Sequence, residues 1–360
     1  METLRLAVDV GDLESGASRA AIARAAKMLR GGGTVAFPTE TVYGLGANAL
    51  DSEAVKEIFV AKERPSWDPL IVHIGDRAML EMIAAEVDQD AHRLMEAFWP
   101  GPLTLLLPKS ARVPDLVTAG LRKVGVRMPA HPVAHALLLA AAVPVAAPSA
   151  NRFGRTSPTS AAHVLEDLDG RIDAVLDGGE TTHGVESTVV HVSADECVIY
   201  RPGVITLEQI RAVCHGKVWA REGKQGEESE EPAPSPGMGV RHYAPRARLV
   251  LVEGEGAAQR VEFERAARRA EDAGEVIGLM LPDGFPTALL GPGAKIFQWG
   301  RWEHERELAQ QLYAGLRWLD AAGATVIVCP VPAARGIGVA VRDRLLRAGQ
   351  GSELRGQRSE

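Results

Sequence analysis

The stretch PVAAPSANRFGRTSPTSAAHVLEDL, residues 144–168, decides how the chain is read. PVAA is a run of small apolar residues that passes into hydroxyl and amide groups, and SPTSAAHVLEDL opens on Ser and Thr before an apolar helical period. The first half reads as a strand running into a loop, the second as a helix with a Ser/Thr cap. Strand, polar loop and helix in that order is the unit of an α/β sheet, and ligands of such sheets sit where strands end.

The flanking sequence repeats the pattern. Ser18 is expected to cap a helix running to Arg30, with Ile22, Ala25, Met28 and Leu29 on one face and Gly31 to Gly33 ending it. TVAF follows as a strand, PTET as a turn, and a helix spans Ser52 to Ala61. PLIVHI is a strand, HPVAHALLLAAA a helix with Pro132 in its first turn, and ESTVVHV with CVIYRPG a late strand pair. The expected first domain is an open, twisted, mixed α/β sheet with polar motifs at its strand ends.

REGKQGEESEEPAPSPGMG, residues 221–239, is acidic and then Pro-rich, with almost nothing apolar to offset the entropy of ordering it. It reads as a linker. The expected division is a first domain at 1–215, a flexible linker and possible lid at 216–245, a small Rossmann-like domain at 246–350 and a polar tail at 351–360. In the second domain, LVLVEG, VIGLML, AKIFQW and ATVIVCPV are strands, and helices run to about Ala273, from about Glu303 to Leu319, and through VRDRLLRA. That alternation implies a smaller, doubly wound parallel sheet. Its first turn, GEGAAQ, half-matches a dinucleotide fingerprint but has Gln259 where the third glycine belongs.

Composition sets the bounds. With 360 residues, 46% hydrophobic and 24% charged, the chain has the make-up of a soluble globular protein. No apolar run approaches the roughly 20 residues that span a bilayer, and METLRLAVDVGDLE is too acidic for a signal peptide, so a cytoplasmic location is expected. Three cysteines, Cys197, Cys214 and Cys329, fit neither a disulfide framework nor a zinc knuckle and read as buried thiols. A net charge of −7 argues against nucleic-acid binding by bulk electrostatics. A phosphate site must then be built from a few placed residues.

No Walker loop, H-E-x-x-H or nucleophile elbow occurs, and His131 with His135 offer no third ligand. Other groups are suggestive. Lys62 and Arg64 stand two apart just past a helix end, in a loop stiffened by Pro65 and Pro69, so both heads are expected to lie exposed and to reach one polyanion. PSAN at 148–151 precedes a Ser/Thr-rich helix start whose free N–H groups suit phosphate oxygens. FPTETVYGLGANA at 37–49, GVEST at 184–188 and RPG at 201–203 add hydroxyls and glycines at strand ends.

Taken in order, FPTETVYGLGANA, K-x-R-P with PLIVHI, FWPGPLTLLL, VGVRMPAHP, APSANRFGRTSPTSAAHV, DGG, GVESTVV, RPGVI and SPGMGVRHYAP resemble the YrdC family, specifically its two-domain threonylcarbamoyl-AMP synthases. GIGVAVRDRLLRA resembles their second domain. The resemblance implies a nucleotidyltransferase that makes L-threonylcarbamoyl-adenylate and pyrophosphate from L-threonine, bicarbonate or CO2, and ATP with Mg2+. A downstream transferase complex would then modify the adenosine beside the anticodon of tRNA, so that tRNA is an indirect partner and no membrane is involved.

Carried over by position, Lys62, Arg64, Asp68, Asn151, Thr159, Arg201 and His242 fall where the family handles ATP. Thr41, His73, Arg127, Ser149 and Ser187 fall where it holds L-threonine. No protein side chain is implied as a metal ligand. The segment ending in GMGVRHYAP would close as a lid, placing His242 or Tyr243 on the ligand. Two departures stand out: Asp68 where many members carry Asn, and Arg122 with Lys123 where Asp-Thr is common. The alternative is an RNA-binding or regulatory module of this fold that performs no synthesis.

Overall fold

The computed structural model describes residues 2–193, 195–221, 243–285 and 293–350. Contacts divide the chain into two units, 1–153 with 157–239 and 154–156 with 240–360.

The first unit opens with β1 (Leu4–Ala7), α1 (Gly16–Arg30), β2 (Val35–Pro38) and β3 (Tyr43–Asn48). Next come α2 (Ser52–Lys62), β4 (Ile71–His73), α3 (Arg77–Ile83), α4 (Gln89–Phe98), β5 (Leu103–Pro108) and α5 (Asp115–Thr118). Then follow β6 (Lys123–Arg127), α6 (Pro132–Ala141), β7 (Val145–Ala146), α7 (Ala161–Leu168) and β8 (Ala174–Asp177). The unit closes with β9 (Thr188–Val192), β10 (Glu196–Arg201), α8 (Leu207–Arg211) and β11 (Lys217–Ala220). The strands form one sheet in the order β1-β8-β2-β3-β7-β4-β6-β5-β9-β10-β11. It is mixed, as expected: β4 runs parallel to β6, β5 parallel to β9, and the late pair β9 and β10 is antiparallel.

Alternation along the strands builds a core on each face. Val35, Phe37, Ala174 and Leu176 pack with Ile22, Leu29, Val133 and Leu137 of α1 and α6. Ala36, Val175, Val72 and Val126 point the other way, to Val55 and Ile58 of α2, Leu94 of α4 and Val164 of α7. With about 1.5–3 kcal/mol for each large side chain buried, both faces are strongly fixed, and a one-residue slip would invert them.

Two expectations need correcting. Ser15, not Ser18, caps α1: its side chain accepts from Ser18 N at 3.2 Å, while Ser18 Oγ accepts from Asp9 N at 3.1 Å. The expected linker from 216 begins too early, because β11 pairs parallel with β10 and its Val218 is buried. Trp219 Nε1 donates to Glu196 Oε2 at 2.8 Å, tying the strand down further.

The second unit consists of β12 (Arg248–Val252), α9 (Gly256–Asp272), β13 (Ile277–Pro282), β14 (Lys295–Gly300), α10 (Glu305–Ala321), β15 (Val326–Pro330) and α11 (Gly338–Gly349). Its sheet, in the order β12-β15-β13-β14, is parallel throughout. Phe263 and Ala267 of α9 pack on Leu279, Leu281, Val326 and Val328. On the other face, α10 presses Gly315 so closely on Met280 and Phe297 that a Cβ there would meet both at under 3 Å. The sheet is thus covered on both sides. Gln259 is a plug rather than a third fingerprint glycine: its amide donates to Val252 O at 3.0 Å and Val331 O at 2.8 Å.

Candidate active site

Lys62 is the last residue of α2, and Glu63 turns the chain out of the helix with φ 54°. The Lys62 ammonium donates to the carbonyls of Ser149 and Asn151, each at 2.5 Å, and Phe153 N donates back to Lys62 O at 2.8 Å. The side chain is 1% exposed, so the expectation of an exposed head is wrong. An ammonium stripped of water is costly unless fixed acceptors replace its hydration, and the PSAN carbonyls do so. Burial, reinforced by the Arg64 charge, holds its pKa well below the ordinary lysine value.

Arg64 is also buried, at 8% exposed. Its Nε donates to Asp68 O at 3.2 Å and its Nη2 to Pro69 O at 2.7 Å, and it pairs with the Asp68 carboxylate at 2.9 Å. The acid that departs from the family pattern therefore anchors its neighbouring cation. Asn151 Nδ2 donates to Arg152 O at 2.8 Å. Ser149 is half-buried and bridges Gly44.

A second group centres on Arg127, at the end of β6. Its Nη1 donates to Thr41 Oγ1 at 2.8 Å, its Nη2 to Glu40 Oε1 at 2.6 Å and its Nε to Gly101 O at 3.2 Å. Burial pushes the Glu40 carboxyl up, but the Arg127 guanidinium outweighs it and the net direction is down. His73, at the end of β4, is the register partner of Arg127. Burial and then the Arg127 charge lower its pKa to about 3, so the imidazole is neutral near pH 7. Among the described residues no group hydrogen-bonds its buried Nδ1. Such an unsatisfied buried atom costs about 1–3 kcal/mol.

The third group is Ser187 with Arg201, at the start of β9 and the end of β10. Arg201 donates through Nη2 to Ser187 Oγ at 3.1 Å and through Nε to Ser187 O at 3.2 Å, and Ser187 Oγ lies 2.8 Å from Thr104 Oγ1. Gly203 is required here, because a Cβ would stand 2.3 Å from Thr188 N.

Main-chain bonds tie the groups together. Tyr43 O accepts from Ala150 N at 2.8 Å, and Tyr43 N donates to Pro158 O at 2.9 Å. Thr181 N donates to Thr159 O at 3.0 Å, His183 N to Glu40 O at 2.9 Å and Gly184 N to Thr41 O at 3.1 Å. These bonds, with those of Lys62, Arg127 and Arg201 above, connect the expected residues 41, 62, 73, 127, 149, 151, 159, 187 and 201, whereas the Arg64 bonds given above stay within its own loop, 64–69. Thr159 Oγ1 lies 3.2 Å from His163 Nδ1. His242 lies outside the described residues. Tyr243 is buried in the second unit, stacked on Tyr313 at 5.8 Å with Arg344 over its ring.

Sequence reasoning missed Glu40 and Glu186, the acids inside PTET and GVEST; Ser157 Oγ donates to Glu186 Oε1 at 2.6 Å. A lone acid among hydroxyls and apolar residues was the available signal. Of the Arg122 and Lys123 departure, Lys123 opens β6 at its far end, four residues and about 13 Å from Arg127, and Arg122 directly precedes the strand.

Residues 27–203 match the Sua5/YciO/YrdC family model, described as telomere recombination, and residues 205–349 match the threonylcarbamoyl-AMP synthase C-terminal domain. The threonylcarbamoyl-AMP synthase of Pyrococcus abyssi is 44% identical over 324 residues, covering 90% of this chain and 92% of that one. The chain belongs to the threonylcarbamoyl-AMP synthase family. The Bacillus subtilis threonylcarbamoyl-AMP synthase is 43% identical over 356 residues, 99% of this chain and 100% of that protein. The crystal structure of P. abyssi Sua5 complexed with L-threonine superposes with a TM-score of 0.88 at 42% identity, covering 96% of this chain and 98% of that one. The family resemblance read from the ordered motifs and the two-domain α/β fold are both upheld. No helix among the described residues is long and apolar enough to cross a membrane.

Proposed function

We propose that this chain condenses L-threonine, bicarbonate or CO2, and ATP into L-threonylcarbamoyl-adenylate and pyrophosphate, for a transferase that modifies tRNA beside the anticodon. The observation that carries this reading is the match over 99% of the chain to a threonylcarbamoyl-AMP synthase. The complex of the Pyrococcus abyssi protein with L-threonine supports the amino-acid half of it.

The geometry suits the chemistry. Arg127, Thr41, His73, Ser149 and Ser187 take L-threonine: the guanidinium, oriented by Glu40, faces the carboxylate, and the orphaned His73 Nδ1 meets a polar atom of the substrate. The threonine amine must be neutral to attack CO2, giving a carbamate whose oxygen then attacks the α-phosphorus of ATP and expels pyrophosphate. Two anions meet in that step, so positioning and fixed positive charge supply most of the rate. Lys62, Arg64, Asn151, Thr159 and Arg201 take the nucleotide, Lys62 bringing a charge whose present partners are neutral carbonyls. Mg2+ would be supplied with ATP and would neutralise charge on its phosphates; Asp68 and Glu40 are paired with Arg64 and Arg127.

The test is pyrophosphate release from ATP by the purified chain. Release is expected only when L-threonine and bicarbonate are both present. Silence with all three substrates would sink the reading and restore that of an RNA-binding module.

A further inference from the structure

Cys197 lies on β10, and Cys214 lies three residues beyond the end of α8. The parallel pairing of β10 with β11 sets Cys197 opposite Val218, which brings the intervening chain back over the strand. The two sulfurs are 2.7 Å apart, well inside van der Waals contact. Asp90 of α4 stands in the same cluster and fixes it by accepting from His215 N at 3.0 Å and Gly216 N at 3.1 Å, and from Arg93 at 2.5 Å. Both thiols are free, and the third, Cys329, is buried in the other unit.

Two sulfurs sharing a zinc ion would stand about 3.7 Å apart with bonds of about 2.3 Å, and the Asp90 oxygens already serve three donors. Two sulfurs in direct contact, held from both sides, need little movement to bond. We propose that Cys197 and Cys214 form an oxidisable dithiol that a low-molecular-weight disulfide converts to an intramolecular disulfide, closing the loop that carries Arg201 and α8. The Cys214 thiolate attacks one sulfur of the reagent disulfide and releases one small thiolate, leaving a mixed disulfide on Cys214. Cys197 then loses its proton and attacks the Cys214 sulfur, releasing the second small thiol. Two protein thiols are oxidised and one disulfide is reduced to two thiols. Cys214 is the first attacker, because it is 9% exposed whereas Cys197 is wholly enclosed.

The experiment treats the reduced full chain with oxidised glutathione under native conditions, then quenches, denatures and counts thiols. Two of the three thiols should disappear, with a mass two hydrogens lower than the reduced chain and a peptide linking Cys197 to Cys214. The melting temperature should rise by roughly 5–10 °C, as closing a loop of this length predicts. Cys197→Ser should instead hold a persistent glutathione adduct on Cys214, and Cys214→Ser should take up none. Three surviving thiols, a lasting adduct on the parent chain, a link to Cys329, or protection of both thiols by added Zn2+ would each overturn the proposal.

Discussion

At the scale of single residues, Lys62 shows how far a motif can be read. Its charge and spacing from Arg64 are plain in the sequence, but the two carbonyls that hold it belong to residues 149 and 151, which no local pattern connects to it. Lys62→Ala should therefore abolish pyrophosphate release and also destabilise the fold by about 2–4 kcal/mol, since it leaves two carbonyls without their donor. Lys62→Met keeps the apolar stem and should recover part of that stability but none of the synthesis, as a denaturant melt beside an activity assay would show. His73 carries a pH dependence of definite sign. Its folded pKa of about 3 lies below the ordinary 6.5, so the unfolded chain binds the proton more readily, and the stability linked to it is complete above pH 6.5 and lost as pH falls toward 3. The stability of the parent relative to His73→Gln should fall by an amount on the order of 4 kcal/mol across that range, measured as denaturant midpoints. An unchanged difference would mean that the imidazole is not held neutral.

At the scale of elements, the long periodic segments were legible because their apolar spacing is redundant. α1, α6, α10, the four strands of the second sheet and β2, β4, β7, β9 and β10 of the first fall close to where the sequence puts them, whereas β1, β3, β5, β6, β8 and β11 were not read as strands. What failed was short or non-local. Ser15 and Ser18 are equally good caps on paper, and only the hydrogen bond from Asp9 N, nine residues away from Ser18, assigns them different jobs. β11 has four residues and a single buried side chain, too little for periodicity to register. The contact of Cys197 with Cys214 depends on that same unread strand. A chain ending after residue 216 should accordingly melt several degrees below one ending after residue 221, because the first leaves the edge of β10 unpaired and Val218 missing from the core. Equal melting temperatures would return β11 to the linker.

At the scale of the whole molecule, the division into two units was legible from the acidic, Pro-rich segment, but not the place where the units exchange chain. Residues 154–156, inside the loop that follows PSAN, are counted with the second unit. There Gly154 O accepts from Ala244 N at 2.9 Å and Thr156 O from Arg317 Nη2 at 2.6 Å. A fragment ending at residue 221 loses both donors and should melt lower than the first transition of the intact chain in calorimetry, while keeping the circular dichroism of an α/β sheet. The triplet also sets a rule for anyone building chimaeras from these proteins. A recombination point drawn at the acidic segment alone would give the recipient a foreign C-terminal half together with its own Gly-Arg-Thr. The donor's three residues must be transplanted as well, so that the splice is discontinuous in the gene although it is single in the product's architecture.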